Sequence, residues 1–359
     1  MTGSSKAEGS ALAPRNAALQ QRPRPLPLFL ELLRSETAED PARMKKALEG
    51  LRRYQEAPRP PVPAPMPALA EAHGAALRDY GGSGPIALFV PSLINPPNVL
   101  DMGERSLLRW LTRRGYRVLL LDWGWPGADR RVLSVAGHVE HILLPLMQGL
   151  GEPVTLIGYC LGGTMALAAA RAGPARAVAA IAAPWHFNGF PDPARADLRK
   201  LWTGAAPAVA ALGLLPMEVL QCAFWSLDPA RTIAKFEAFA DLQGPEAATF
   251  VALEDWANDG PPISEAAARE MFDDLFEGDA SGERRWIVAG DTVDPAALSI
   301  PFLNVASTTD RIVPHETAAR AGERLDLALG HVGMVVGRRA QKALWEPLAA
   351  WLSRNAAKC

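Results

Sequence analysis

Gly158-Tyr159-Cys160-Leu161-Gly162-Gly163 is the stretch of sequence from which the fold can be predicted. The residues before it, 153–157, are short, apolar and rich in β-branched side chains, which is typical of a buried strand. The residues after it, 164–171, are rich in alanine and predict a helix that stops at Gly173. A strand, a tight turn and a helix in this order predict that Cys160 stands on a strained bend, with its side chain clear of the sheet.

The glycines around Cys160 support this interpretation. Gly158 and Gly162 flank the cysteine, and Gly163 follows, at a point where strand and helix approach so closely that a Cβ atom would collide. The start of the following helix would lower the pKa of a thiol and stabilise negative charge on a bound oxygen. The alternative is a buried structural cysteine beside a glycine-rich turn, since cysteine is often buried and inert.

Composition places the chain among ordinary globular proteins. It has 359 residues, of which 49% are hydrophobic and 21% charged, and its formal net charge of −2 gives no support for nucleic-acid binding. The three cysteines, Cys160, Cys222 and Cys359, are too scattered for a disulfide framework or a zinc site, and no metal site is predicted. We find neither a signal-peptide core nor an apolar run long enough to span a bilayer, and we expect a cytoplasmic protein.

The chain divides into segments of different character. Residues 1–25 are predicted to be disordered, and residues 26–67 to form two amphipathic helices and a proline-rich linker. A core domain is expected from 68–185 and 283–359, interrupted by an insertion at 186–282.

Short apolar segments alternate with helical ones through the core, and this predicts a mostly parallel sheet covered on both faces. The insertion lacks the alternation and is rich in tryptophan, phenylalanine and proline. We expect it to be mostly helical and to lie over the carboxyl edge of the sheet as a lid that excludes water. The core strands are expected at 86–90, 117–121, 153–157, 177–182, 286–289, 301–306 and 325–329.

Three side chains are expected to meet at that edge. Cys160 follows one strand, Asp310 follows the strand at 301–306, and His331 lies in the loop after the last strand. A nucleophile, an acid and a histidine in this chain order are typical of the α/β-hydrolase fold. In this interpretation His331 takes the thiol proton, and Asp310 fixes the imidazole tautomer and stabilises its charge. Taken singly, Asp310 could be a turn residue and His331 a loop hydrogen-bond donor.

An oxyanion hole needs two backbone N–H groups near the nucleophile. One is expected from Leu161, directly after Cys160. The other is expected from the loop after the first core strand, at Leu93 or Ile94.

Several motifs together give a resemblance to a known family. With Cys160 in place of serine, the chain resembles the polyhydroxyalkanoate synthases over residues 84–352. It is most similar to the shorter type, which works with a second subunit. The supporting motifs are Pro91-Ser-Leu-Ile-Asn95, Leu121-Asp-Trp-Gly124, Asp310-Arg-Ile-Val-Pro314 and Gly330-His-Val-Gly333.

The resemblance implies a reaction, a substrate and partners. Cys160 would be acylated by a 3-hydroxyacyl-coenzyme A, with His331 activating the thiol and Asp310 helping to activate the hydroxyl of the incoming unit. No cofactor is implied beyond the coenzyme A thioester, which is the substrate. Such enzymes of poly-3-hydroxybutyrate (PHB) biosynthesis act as dimers on the surface of polymer granules.

Other functions remain open at this point. The motif around Cys160 also resembles the dienelactone hydrolases, but those chains are much shorter and lack a large insertion such as 186–282. Intracellular polymer depolymerases and thioesterases would use the same three residues for hydrolysis. A non-catalytic granule-associated or partner-binding protein that keeps the fold is a third hypothesis.

Overall fold

The computed structural model of the protein describes residues 22–59 and 63–356. The disordered segment predicted at 1–25 lies outside the described residues except for 22–25, and the proline-rich linker is described only in part. Within 22–25, the backbone N–H of Arg24 donates to the Asn258 side chain at 3.0 Å. These four residues therefore have a defined contact, and the disorder of the remainder stays a prediction.

The described residues form two compact units. We call the first the helical unit, which combines Met1–Val62 with Phe224–Asn258 as far as these are described. The second is the sheet unit, which combines Pro63–Ala223 with Asp259–Cys359 in the same sense. The predicted insertion contributes residues to both units, and its role as a lid stays a prediction.

An eight-stranded sheet forms the centre of the sheet unit. Its strands are β1 (Ala68–Ala72), β2 (Ala75–Asp79), β3 (Ile86–Val90), β4 (Arg117–Asp122), β5 (Val154–Tyr159), β6 (Ala175–Ile181), β7 (Phe302–Ser307) and β8 (Glu323–Leu327). They lie in the order β1-β2-β4-β3-β5-β6-β7-β8. Strands β3 to β8 pair in parallel, while β1 pairs with β2 and β2 with β4 in antiparallel orientation. The predicted mostly parallel sheet is thereby confirmed.

Two parts of the sheet differ from the sequence prediction. The first is the β1–β2 hairpin, which was not predicted and which turns through His73 and Gly74, both at positive φ. The second is the strand expected at 286–289, where Ile287–Val288 pairs antiparallel with Asp291–Thr292 outside the central sheet. The prediction was wrong there because Ile287 is 57% exposed, whereas a strand inside a parallel sheet is buried on both faces.

Helices surround the sheet. Three of them contain wider π-helical turns. Val139–Leu143 lies between two α-helical segments, Glu270–Glu277 forms the end of its helix, and Gln341–Trp345 forms the start of the last helix. Helix Met217–Leu227 crosses from the sheet unit into the helical unit. The α-helical segments wholly within the sheet unit are Leu107–Thr112, Val135–His138, Leu144–Gly149, Leu161–Ala172, Asp192–Leu212, Glu265–Arg269, Gly333–Val336 and Glu346–Ala356.

Aromatic side chains pack together in the sheet-unit part of the insertion. Phe187, in the loop after β6, lies edge-on to Phe276 with ring centroids 4.9 Å apart. Phe272 is 6.1 Å from Phe276, and Trp202 stacks on Phe272 at 5.0 Å with an angle of 7° between the rings. In this part of the insertion the aromatic residues therefore pack against one another.

The helical unit is built from Leu26–Glu36, Pro41–Glu56, Pro229–Phe239 and Gly244–Ala257. Its core includes Phe29, Tyr54 and Phe236, all fully buried. Pro41–Glu56 and Pro229–Phe239 approach so closely that a Cβ on Gly50 would lie 1.9 Å from the Phe236 carbonyl oxygen. Among the described residues of both units, no helix is sufficiently long and apolar to traverse a lipid bilayer.

Candidate active site

Cys160 occupies the bend between β5 and helix Leu161–Ala172, as predicted. Its backbone has φ +56° and ψ −134°, a region that residues with a side chain rarely adopt. Two hydrogen bonds hold this conformation: the Cys160 N–H donates to the Ile181 carbonyl at 2.9 Å, and the Cys160 carbonyl accepts from the Gly163 N–H at 2.8 Å. The cysteine is therefore fixed between the end of β6 and the first turn of its own helix.

The glycines predicted around the bend are required by close backbone contacts. A Cβ on Gly158 would lie 2.3 Å from the Gly163 Cα, and a Cβ on Gly162 would lie 2.2 Å from the Val90 carbonyl oxygen. A Cβ on Gly163 would lie 2.4 Å from that of Ala183. The sheet, the helix and the loop after β3 thus meet at separations that larger residues would not allow.

Asp310 and His331 form a buried hydrogen-bonded pair. The Asp310 Oδ2 lies 2.6 Å from the His331 Nδ1, and the two side chains are 0% and 6% exposed. The other carboxylate oxygen of Asp310 accepts from the backbone N–H groups of Ile312 and Val313 at 2.8 and 3.1 Å. Asp310 therefore uses one oxygen to hold its own loop and the other to orient the imidazole.

His331 also contacts Cys160. Burial by itself lowers the pKa of His331, but the negative charges of Asp310 and Cys160, together with hydrogen bonds from the ring to both side chains, raise it to about 10. Because Asp310 occupies Nδ1, the ring offers Nε2 to the sulfur. The structure therefore brings together the three residues predicted to form a triad, in the order cysteine, imidazole, carboxylate.

Tyr159 is a neighbour of the site that was not predicted from the sequence. Its ring stacks on that of His331, with centroids 5.0 Å apart, and its hydroxyl donates to the His331 carbonyl at 3.3 Å. Burial, with the nearby Cys160 and Asp310 charges, raises the pKa of Tyr159 well above its ordinary value. The one available signal was its position directly before the nucleophile.

The loop after β3 supplies one clear candidate for the second oxyanion donor. The Ile94 N–H already donates to the Ser92 hydroxyl at 3.0 Å. No described residue accepts a hydrogen bond from the Leu93 N–H. Of the two predicted residues, Leu93 is therefore the one whose N–H remains available, because a short serine turn engages the amide of Ile94. The Leu161 N–H lies in the first turn of its helix, where amides have no partner within the helix.

Other parts of the described chain give less evidence of a functional site. No group of three or more His, Cys, Asp or Glu residues in 22–59 and 63–356 is arranged to bind a metal ion. A cleft of about 310 Å³ lies at the start of β7 and β8, between Phe302, Glu323 and Trp351. Asp310 and His331 follow the opposite ends of those strands, so this cleft is remote from the predicted chemistry.

Comparison with known proteins supports both the fold and the resemblance. The model of the alpha/beta hydrolase family matches residues 72–342. The chain is 28% identical to the poly(3-hydroxyalkanoate) polymerase subunit PhaC of Allochromatium vinosum, covering 75% of this chain and 80% of that protein. The subunit of the same name from Synechocystis sp. is also 28% identical, covering 75% and 77%.

The coverage of other relatives is lower, and structural similarity extends to the fold alone. The subunit of the same name from Haloferax mediterranei is 24% identical over 75% of this chain, which spans 58% of that relative's length. A crystal structure of a putative non-heme bromoperoxidase BpoC from Mycobacterium tuberculosis superimposes with a TM-score of 0.50 at 14% identity, covering 81% of this chain and 98% of that one. The predicted resemblance to the synthases is confirmed by the three named relatives.

Proposed function

Because the chain belongs to the alpha/beta hydrolase family, we propose that it is an acyltransferase that polymerises 3-hydroxyacyl-coenzyme A into polyhydroxyalkanoate through an acyl-Cys160 intermediate. The observation that carries this proposal is a cysteine on the bend, hydrogen-bonded to a buried His331–Asp310 pair. The names of its relatives support the substrate class.

Acylation of Cys160 is the first proposed step. His331 Nε2 holds the proton taken from the thiol, so that Cys160 and His331 form a thiolate–imidazolium pair, and the thiolate attacks the thioester carbonyl, forming a sulfur–carbon bond. The oxygen becomes negatively charged and accepts hydrogen bonds from the Leu161 and Leu93 amides. The carbon–sulfur bond to coenzyme A then breaks, and the leaving thiolate takes the proton from His331. One thioester replaces another, so the acyl group remains activated.

Chain growth is the second step. The hydroxyl of another 3-hydroxyacyl unit attacks the acyl-Cys160 carbonyl while His331 accepts its proton, and the thiolate of Cys160 leaves. Because one Asp310 oxygen faces the imidazole and the other faces backbone amides, we assign Asp310 to support His331 rather than to contact the hydroxyl. The coenzyme A thioester is the substrate, and the proposed reaction needs no cofactor.

Partners and location belong to the same proposal. We propose that the protein works as a homodimer, with a second synthase subunit, in the cytoplasm at the surface of the polymer granule. Exclusion of water by the insertion would favour chain growth over hydrolysis. Adding the candidate subunit to the assay below tests its contribution.

The product formed from 3-hydroxybutyryl-coenzyme A tests the proposal. Release of coenzyme A with polymer supports synthesis, whereas release with monomeric acid indicates a thiol-dependent hydrolase of the same family. Intact-mass measurement should show an acyl adduct that is lost in Cys160→Ala and kept in Cys222→Ala, the matched control. Without an adduct on the wild-type protein, the acyl-cysteine mechanism is refuted and a non-catalytic binding role is favoured.

A further inference from the structure

A tryptophan outside the predicted triad anchors the loop that offers the second oxyanion donor. Trp123 follows β4, is 3% exposed, and donates from its indole N–H to the Pro91 carbonyl at 2.9 Å. On its other side, the Pro91 oxygen faces Gly162, where a Cβ would lie 2.4 Å away. The first peptide group of the loop is therefore enclosed between the indole and the helix that begins after Cys160.

The remainder of this loop, 91–95, is held at two further points. The Ser92 hydroxyl accepts from the Ile94 N–H at 3.0 Å. The Asn95 backbone, at φ +69°, lies against Gly260, and the Asn95 side-chain amide donates to the Asp259 carbonyl at 3.4 Å. These contacts hold the loop residues before and after Leu93. The Leu93 N–H itself has no acceptor among the described residues.

Trp123 is itself fixed from two directions. Its ring lies edge-on to the His138 ring, with centroids 5.8 Å apart and 79° between the planes. Its carbonyl oxygen accepts a hydrogen bond from the guanidinium of Arg130, which is also buried. The indole N–H therefore has a set direction, and it points to Pro91.

We propose that Trp123 is a positioning residue for acyl transfer: its hydrogen bond to Pro91 holds the loop so that the Leu93 N–H faces the oxyanion formed at Cys160. This inference rests on the proposed function. Trp123 does not touch the reacting atoms and acts through the loop. Loss of one oxyanion donor costs about a hundredfold or more in rate, so loss of its support should cost at least about tenfold.

Two reactions of the same sulfur separate this role from a general effect on the site. Acylation by a thioester or ester passes through a negatively charged oxygen and needs the oxyanion donors. Alkylation by iodoacetamide forms a sulfur–carbon bond and releases iodide, with no charge developing on a carbonyl oxygen. Alkylation therefore reports on the thiolate and on access, and acylation reports on the oxyanion donors as well.

The test compares Trp123→Phe with Trp125→Phe, a matched change two residues away at a side chain that is 68% exposed. Acylation of Cys160 is followed by mass spectrometry with 3-hydroxybutyryl-coenzyme A and, separately, with p-nitrophenyl acetate. For Trp123→Phe we expect acylation at least about tenfold slower and iodoacetamide alkylation within about twofold of wild type. Trp125→Phe should leave both rates within about twofold.

Parallel loss of both rates in Trp123→Phe, or loss of neither, would overturn the proposal. If that variant does not fold, benzothienylalanine at position 123, which keeps the ring shape and replaces the N–H by sulfur, is judged by the same two rates. If the wild type is acylated by p-nitrophenyl acetate but not by the coenzyme A thioester, the proposed function fails. The role of Trp123 can then still be tested by comparing the acylation rates with the ester.

Discussion

The interactions within the candidate active site differ in kind from the ring packing within the helical unit. At the site, directional hydrogen bonds fix each group: Asp310 binds His331 and two backbone amides, and the Ser307 hydroxyl holds the Leu329 carbonyl at 2.5 Å. In the helical unit, rings pack edge to face, as in Phe29 against Phe236 at 4.8 Å. Directional bonds set positions to the accuracy that chemistry needs, whereas apolar packing supplies stability and tolerates conservative exchange.

Removing the imidazole should produce the largest effect on activity. We expect His331→Ala to keep its fold and to release coenzyme A from 3-hydroxybutyryl-coenzyme A at least about a hundredfold more slowly, since the variant lacks the group that is hydrogen-bonded to the Cys160 sulfur and assigned to take its proton. His141→Ala, at an exposed histidine, is the control and should keep the wild-type rate. Near-normal turnover by His331→Ala would show that the hydrogen bonds linking Asp310, His331 and Cys160 are not needed for catalysis.

A change in the helical unit should affect stability instead. In Gly50→Ala the new methyl group would lie 1.9 Å from the Phe236 carbonyl oxygen, which should lower the free energy of unfolding by about 1–3 kcal/mol. Gly204→Ala, in a helix where nothing lies within 4 Å, should be neutral or stabilising by up to about 1 kcal/mol. Denaturant unfolding measures both, and equal stabilities of the two variants would contradict the close packing at Gly50.

The pH dependence of stability should reveal the charge on His331. The pKa of His331 rises from its ordinary 6.5 to about 10 in the folded protein, so the folded state binds this proton more tightly than the unfolded state. The resulting stabilisation is complete below about pH 6.5 and is lost as the pH rises through about 10. The difference in unfolding free energy between wild type and His331→Gln should therefore shrink between about pH 7 and pH 10. A difference that does not change with pH would argue against a charged imidazole.

The smallest effect is expected from Tyr159→Phe. This change removes the 3.3 Å hydrogen bond to the His331 carbonyl and leaves the stacked ring in place. A neutral hydrogen bond is worth about 1 kcal/mol, so we expect acylation to slow by about two- to fivefold. The control is Tyr116→Phe, which removes a hydroxyl contact to Ser353 and should not alter the rate. A loss as large as that of His331→Ala would instead place the Tyr159 hydroxyl in the chemistry.

The sequence predicted those features that depend on local pattern and chain order. The bend at Cys160 follows from adjacent residues, and the positions of Asp310 and His331 follow from the strands before them. The choice between Leu93 and Ile94 was not accessible, since it depends on where the Ser92 hydroxyl points. The small hairpin at Ile287 was mistaken for a strand of the sheet, since a short apolar run does not report its partner.

Features that join distant parts of the chain were the least predictable. The packing of Phe29 and Tyr54 on Phe236 requires two amphipathic faces to be matched across the whole first core segment, 68–185, and amphipathicity alone does not identify the partner. The Trp123–Pro91 hydrogen bond also joins residues that are distant in the chain, although each lies in one of the motifs that carry the family resemblance.

The positive φ of Cys160 has an evolutionary consequence. At φ +56° the backbone would be most relaxed with glycine, and a side chain there costs on the order of 1–3 kcal/mol. Stability alone would therefore favour replacement of the cysteine, and only selection for a reaction at the sulfur would retain it. A gene copy without that selection would be expected to acquire glycine at this position early. It would then encode a more stable protein that lacks the reactive sulfur.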